Sequence, residues 1–273
     1  DENFYGHSKK SNERVRDLFK GMVERGIYQN WFGFTSLNIY QDDETLEYMR
    51  KSGCVGMLIG IESINEEALK TMNKNVNLRI SIENYFEAIA NIRKHGLAVW
   101  GTMVFGNDAD TPETFKQVAD FVLDSHVDIM TCGILCPFIN TPLYHRLNGD
   151  GRLFRTNFPE DWKYYTSHHL TYVLKNMSLQ ELIDGFQYLY DRIYATEVLR
   201  QRFQNAKEVL KENMNAAMFA FRVNLDWQSV YQHLIQNLKE LQTSGFYDEA
   251  LKRFNQSKRA GKKAKLTPIE VSS

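Results

Sequence analysis

The stretch Gly53-Cys54-Val55-Gly56-Met57-Leu58-Ile59-Gly60-Ile61-Glu62-Ser63 is apolar or glycine at nearly every position until Glu62 ends it. A strand with one wet face would show a polar residue at every second position. An unbroken run therefore reads as a strand covered on both faces, as parallel sheets require. Asp42 and Asp43 open a helix over 44–51 just ahead of it, which Gly53 ends, and a helical pattern over 65–72 follows.

The same cycle extends in both directions. Upstream, Val15, Leu18, Phe19, Met22 and Val23 recur at helical spacing between Ser11 and Gly26, and 31–39 reads as an extended run. Downstream come a helix over 80–94, stopped by Gly96, and a strand over 97–105. Thr111-Pro112-Glu113-Thr114 then supplies a cap, a proline at the first helical position and an acidic first turn for a helix to Asp124. A strand over 127–135 and a short helix over 141–147 close the series. Strands alternating with helices of this length mean βαβ units and a parallel sheet.

After Gly151 the character changes. Aromatics and histidine crowd 158–174, and 178–254 is almost purely helical. Residues 1–150 thus form the α/β part, 151–256 a helical extension, and 257–273 a basic tail whose composition favours disorder, with a weak phosphate-binding role as a minor alternative.

Composition narrows the function classes. The 273 residues carry 33 basic and 34 acidic side chains, a formal net charge of −1. No global field recruits nucleic acid or an anionic membrane. Cys54, Cys132 and Cys136 are too few for a disulfide framework and suit a reducing compartment, so cytoplasm is the expected location. No window approaches the roughly 20 apolar residues of a spanning helix. The opening Asp1-Glu2-Asn3 lacks an initiator methionine and reads as a truncated start.

Parallel barrels meet ligands at the carboxyl ends of their strands. That rule selects Asp1, Glu2 and Asn3; Asn38; Glu62 and Ser63; Thr102 with Gly106, Asn107 and Asp108; and Cys136-Pro137-Phe138. Glu62 is the best polar candidate, because a carboxylate ending an apolar strand is costly unless it faces a solvated mouth or a ligand. The competing reading makes it a solvated cap for the helix starting near Asn65. Gly101 and Gly106 suit either a close-approaching cofactor or a tight barrel bend. Cys132 and Cys136, four apart in one strand, lack the loop spacing of cluster or zinc ligands and read as small core residues. His168 and His169 point apart, as neighbours must, and read as packing residues, while His95 and His145 look solvated on helices. No residue is assigned a catalytic or metal-ligating role.

The passage from Gly53 to Asn65, followed by Ala68-Leu69-Lys70-Thr71-Met72-Asn73-Lys74, resembles the fourth-strand segment of radical S-adenosylmethionine enzymes. Gly101-Thr102-Met103-Val104-Phe105-Gly106 with Thr111-Pro112-Glu113-Thr114-Phe115 resembles their fifth strand, glycine turn and helix start. Cys136-Pro137-Phe138-Ile139-Asn140-Thr141-Pro142 resembles the sixth-strand exit. Asp1-Glu2-Asn3-Phe4 and the stretch 161–182 are similar to the subgroup that carries a cobalamin-binding domain and includes hopanoid methylases.

The resemblance implies a partial (β/α)6 TIM-like barrel with a C-terminal all-helical extension that covers the barrel mouth. It implies S-adenosylmethionine as cofactor, met by Asn38, by Glu62 at the ribose, by Lys74 at the methionine carboxylate, and by Thr102 and Gly106 flanking the adenine. A [4Fe-4S] cluster and cobalamin are implied for the intact protein, with their ligands outside this chain, so the chain alone is expected to be inactive. The implied activity is methyl transfer to an unactivated carbon of a small-molecule or lipid-like substrate, with an electron-donor protein as partner and no specific nucleic acid. Two readings compete with it: a cofactor-free barrel and helical module that binds a partner, and a radical enzyme modifying transfer RNA, which would want a basic domain beyond the short tail.

Overall fold

The computed structural model of the chain describes residues 3–6 and 8–259. In chain order the elements are α1 (Lys9–Glu24), β1 (Trp31–Thr35), α2 (Asp43–Lys51), β2 (Cys54–Glu62), α3 (Glu66–Thr71), α4 (Asn75–Ile80), α5 (Tyr85–Lys94), β3 (Ala98–Phe105), α6 (Pro112–Asp124), β4 (Ile129–Ile134), α7 (Pro142–Gly149), α8 (Leu179–Leu189), α9 (Thr196–Val209), α10 (Met214–Thr243) and α11 (Phe246–Arg259). The sheet order is β1-β2-β3-β4, and β1, β2 and β3 pair in parallel. Each parallel neighbour needs a helical crossover, which the alternating elements provide. The α/β architecture with a helix-rich C-terminal part stands as read, with four strands among the described residues.

Local readings need correction at three places. Strand β1 stops at Thr35, and Leu37–Gln41 forms a 3-10 helix that buries Leu37, Ile39 and Tyr40. An apolar pattern this short fits a 3-10 turn as well as a strand. The helix expected over 80–94 begins at Tyr85, after a 3-10 turn at Ile82–Asn84 and a positive φ at Ser81. Strand β2 is covered on both faces only in its first half. From Met57 onward Met57, Ile59 and Ile61 are fully buried, whereas Leu58, Gly60 and Glu62 are half-buried on the other face. Phe32 and Phe34 on β1 are likewise exposed, so one face of this sheet edge is open.

The chain divides into two compact units. The first comprises Asp1–Met103, Lys116–Cys132 and Leu189–Ser229. Its core joins Val55, Ala98 and Ile129, at the beginnings of three strands, to Ala206 and Leu210 of the α9 end and to Ala216, Ala217 and Ala220 of α10. Small side chains on that stripe let the α10 backbone approach closely. Asn213 Nδ2 then donates to the carbonyls of Cys54 (2.8 Å) and Gly96 (2.9 Å), and Asn224 Nδ2 to that of Asp128 (2.8 Å). The helical layer expected over the barrel mouth therefore packs, over 196–229, at the opposite end of the strands. Nearby, Arg93 Nε donates to both oxygens of Asp128 at 3.1 Å while Val99 N–H donates to Oδ2, and both charged side chains are almost wholly buried.

The second unit comprises Val104–Phe115, Gly133–Tyr188 and Val230–Ser273. Phe105, Phe115 and Phe186 form its aromatic centre, with Phe105 and Phe115 stacked at 4.3 Å. Gly185 is required there, because a Cβ would lie 2.4 Å from the Phe115 ring. Helix α11 extends through Ser257 to Arg259, which takes the first residues of the expected tail into regular structure. The remainder of that tail, 260–273, and Asp1 and Glu2 lie outside the described residues.

Candidate functional site

In the first unit an open cleft of about 480 Å³ lies at the carboxyl ends of β1 and β2. Glu62, Lys74, Thr102 and Asn3 line it, together with Phe34, Gly60 and Asn77. Glu62 reaches it because the β2–β3 register slips between Gly60 and Glu62, where Gly60 pairs with Thr102 and Glu62 with Met103. A bulge re-aims the following side chain, and Glu62 takes a φ of 66°, in the left-handed region that a non-glycine residue rarely adopts. Its carboxylate folds back over Gly60, where a Cβ would sit 2.6 Å from Glu62 Oε1. Gly60 is thus glycine because the carboxylate needs its space.

Lys74 closes the arrangement, its Nζ donating to Glu62 Oε1 at 2.7 Å. The helix cap that sequence offered as the alternative role for Glu62 belongs to Asn65, whose Oδ1 accepts from the N–H groups of Glu67 and Ala68. Lys74 stands at the entrance of α4, an element that the sequence reading missed because Asn75-Val76-Asn77 has little apolar signal. The short helix is tied down by Asn77, which is 5% exposed and donates from Nδ2 to the carbonyls of Gly60 (2.9 Å) and Ile61 (3.1 Å). Asn77 therefore holds the bulge that aims Glu62. Replacing it by alanine removes both bonds and is expected to destabilise the first unit by about 1–2 kcal/mol, read as a lower urea midpoint at unchanged slope.

Asn38 lies in the 3-10 turn and lines a second cleft of about 400 Å³ with Tyr5, Arg16 and Asp42. Among the described residues nothing hydrogen-bonds its Oδ1, which is buried against Gly6. Asp42 is fully engaged, accepting from Tyr5 Oη, Arg16 Nη2 and Thr45 Oγ1, each at 2.8 Å. Asn3 donates to Ser36 Oγ at 2.8 Å, and Ser63 Oγ accepts from the Asn65 N–H, which makes Ser63 a turn residue. The structure thus brings Asn3, Glu62, Lys74 and Thr102 to one cleft and gives Asn38 to another.

Gly106 belongs to the second unit and is accounted for locally. Its φ is 96°, its carbonyl accepts from Tyr172 Oη at 3.0 Å, and a Cβ would lie 2.5 Å from that oxygen. The N–H groups of Gly106 and Asn107 both donate to Asp110 Oδ2 at 2.9 Å. Burial pushes the Asp110 carboxyl up from 3.8 to about 6, against the pull of those two bonds. An acid with a raised folded pKa binds more protons folded than unfolded. Its contribution is fully present below about 3.8 and is lost as pH rises through about 6. Between pH 4 and 6 the wild type is expected to lose on the order of 2–3 kcal/mol that Asp110→Asn retains, measured by urea unfolding across that range.

Asp108 accepts from Arg152 Nη1 (2.6 Å) and Arg146 Nη1 (2.7 Å), which makes it an ion-paired bracket of the second unit. Cys132 is buried in β4, as read. Cys136 lies beyond the strand end and is only half-buried, which corrects its placement in the strand core. Burial pushes the Cys54 and Cys136 thiols up to about 12, so neither is a ready thiolate. His95 is 17% exposed and its Nε2 lies 3.1 Å from Asp43 Oδ1, so it is paired at a helix end where solvation was expected. His145 is exposed. Among the described residues no group of three or more His, Cys, Asp or Glu side chains could hold a metal ion.

Comparison with known proteins finds similarity for both parts of the chain. Residues 9–122 match the Radical SAM superfamily, and residues 141–255 match a domain of unknown function, DUF4070. The segment similar to the Radical SAM superfamily is the one that contains Glu62, Lys74 and Thr102. It is 30% identical over 188 residues to the bacteriochlorophyllide d C-12(1)-methyltransferase of Chlorobaculum tepidum, covering 69% of this chain and 39% of that protein. It is 28% identical to the hopanoid C-2 methylase of Rhodopseudomonas palustris, covering 84% of this chain and 43% of that one. The chain thus spans about two fifths of the length of these relatives. Among solved structures, the methyltransferase TsrM of Kitasatospora setae, with cobalamin and a [4Fe-4S] cluster bound, covers 55% of this chain and 30% of that one at a TM-score of 0.44 and 17% identity. No helix among the described residues is long and apolar enough to cross a membrane.

Proposed function

We propose that the chain is the S-adenosylmethionine-holding part of a cobalamin-dependent radical S-adenosylmethionine methyltransferase acting on an unactivated carbon of a small-molecule or lipid-like substrate in the cytoplasm. The observation that carries the reading is the Glu62 cleft. A parallel-sheet segment similar to the Radical SAM superfamily delivers a carboxylate, an ammonium and a threonine hydroxyl to one rim at its strand ends. The named methyltransferases among its relatives supply the reaction class.

The donor set fits the cofactor. Glu62 accepts hydrogen bonds from the ribose hydroxyls, Lys74 faces the methionine carboxylate, and Thr102 borders the adenine. Asn38 lines the neighbouring cleft and is kept as a further contact residue there. The Lys74–Glu62 pair preorganises both charges before any ligand arrives, which lowers the cost of ordering them on binding. Bound S-adenosylmethionine supplies radical chemistry once reduced; this chain's residues bind it, orient it and exclude water.

The described residues do not fit the iron–sulfur cluster. Cys54 and Cys132 are buried in separate strands, and no trio of thiols converges. Cluster and cobalamin are assigned to other parts of the protein, and reduction to an electron-donor protein. Anaerobic reconstitution of the full-length protein with iron, sulfide and cobalamin, followed by product analysis with methyl-labelled S-adenosylmethionine, tests the reading. Label on a carbon of the product is expected. Intact S-adenosylmethionine after exposure to a strong reductant would overturn it.

A further inference from the structure

The second unit contains a smaller pocket, of about 180 Å³, lined by Arg155, Tyr164, His169, Asn237, Glu240 and Ser244. It shares no residue with the Glu62 cleft. Its distinguishing feature is the Arg155 guanidinium, whose Cζ lies over two rings, 3.9 Å from the Tyr164 centroid and 4.1 Å from that of Phe246. The side chain is only 18% exposed, and its one ionic neighbour among the described residues is Asp161, at 3.8 Å, too far for a hydrogen bond. Among the described residues no acceptor takes a hydrogen bond from this guanidinium. A largely buried cation with unused donors is costly, and the rings satisfy only its faces.

The wall beside it is polar. His169 shares a hydrogen bond of 2.9 Å between Nδ1 and Thr166 Oγ1, which leaves Nε2 as its second polar atom. Burial holds His169 below its usual pKa, and the His168 and Arg155 charges push the same way, so the ring is neutral at pH 7. We propose that this pocket takes the carboxylate group of a small organic acid or of a larger ligand, held edge-on by the Arg155 fork. A planar fork matches a carboxylate bidentately, and the two rings fix the plane of approach. Glu240 lines the pocket and Asp161 lies 3.8 Å from Arg155, so a second negative charge is repelled and a phosphate dianion is disfavoured. The proposal does not rest on the S-adenosylmethionine reading, and it gives part of the DUF4070 segment a chemical role.

The test uses the full-length protein with labelled histidine, following the His169 imidazole by NMR at constant ionic strength. Acetate should produce a saturable shift and raise the His169 pKa, whereas acetamide and chloride should not. Arg155→Lys, which keeps the charge over the rings but loses the fork, should weaken acetate binding about tenfold or more. Ser244→Phe, an exposed substitution at the rim, should block it in a protein that still unfolds cooperatively, its melting midpoint lowered only by the loss of the Ser244 hydroxyl bonds to Leu241 and Phe246. The proposal is overturned by equal responses to acetate and acetamide, by inorganic phosphate binding as tightly as acetate, by Arg155→Lys binding like wild type, or by no saturable shift, the behaviour of a stacked arginine hydrated only by water.

Discussion

Asp128→Ala is expected to cost roughly 3–5 kcal/mol of folding stability, because it strands the Arg93 guanidinium in the core. Arg93 and Asp128 are 5% and 1% exposed, so the cation has little access to solvent once its partner is gone. The same carboxylate accepts the Val99 N–H at the start of β3, so the loss reaches the sheet as well. Arg93 Nη2 keeps only the Asn205 amide, at 2.7 Å. Burial pushes the Asp128 carboxyl above its usual pKa, and the Arg93 charge opposes that push. We take the ionised pair as the resting state, since both oxygens accept from Nε. Equilibrium urea unfolding measures the effect. A loss under about 1 kcal/mol would show the pair to be solvated in solution.

The second large effect falls on ligand affinity. Glu62→Ala in the full-length protein should weaken S-adenosylmethionine binding by roughly 10–100-fold, the worth of hydrogen bonds to a charged acceptor. Folding should barely change, since Lys74 is 40% exposed and a partly solvated pair of this kind contributes about 0–1 kcal/mol. Glu62→Gln, which retains the acceptor oxygen but not the charge, should fall between. Isothermal titration of the three proteins decides it. Wild-type affinity in the alanine variant would remove Glu62 from the site.

Much of the fold could be read from residue patterns, because the strong signals were redundant. The run through β2 is apolar over its whole length, and the Thr111-Pro112-Glu113 start of α6 combines three independent cues. Glu62 was legible for a related reason: a charge at the end of an apolar strand is an anomaly that needs a cause. Lys74 came only from resemblance, since nothing in Met72-Asn73-Lys74 marks a lysine that will reach back twelve residues. Asn77 was invisible, because its role depends on a register slip in β2, and a backbone irregularity leaves no trace in side-chain pattern. The packing of α9 and α10 escaped for a third reason. Alanines at 216, 217 and 220 mark a helix able to approach something closely, but periodicity does not say which end of a sheet it meets.

That alanine stripe bears on where the protein can be cut. The matched DUF4070 segment, 141–255, begins and ends in the second unit, yet its middle, 189–229, folds with the strands of the first. Asn213 donates to the backbone carbonyls at 54 and 96, and Asn224 and Arg202 both donate to that at 128. The two family segments are therefore interleaved in space although consecutive along the chain. An expression boundary drawn between them would expose the undersides of β2, β3 and β4 and yield an insoluble product, so neither segment is an interchangeable module.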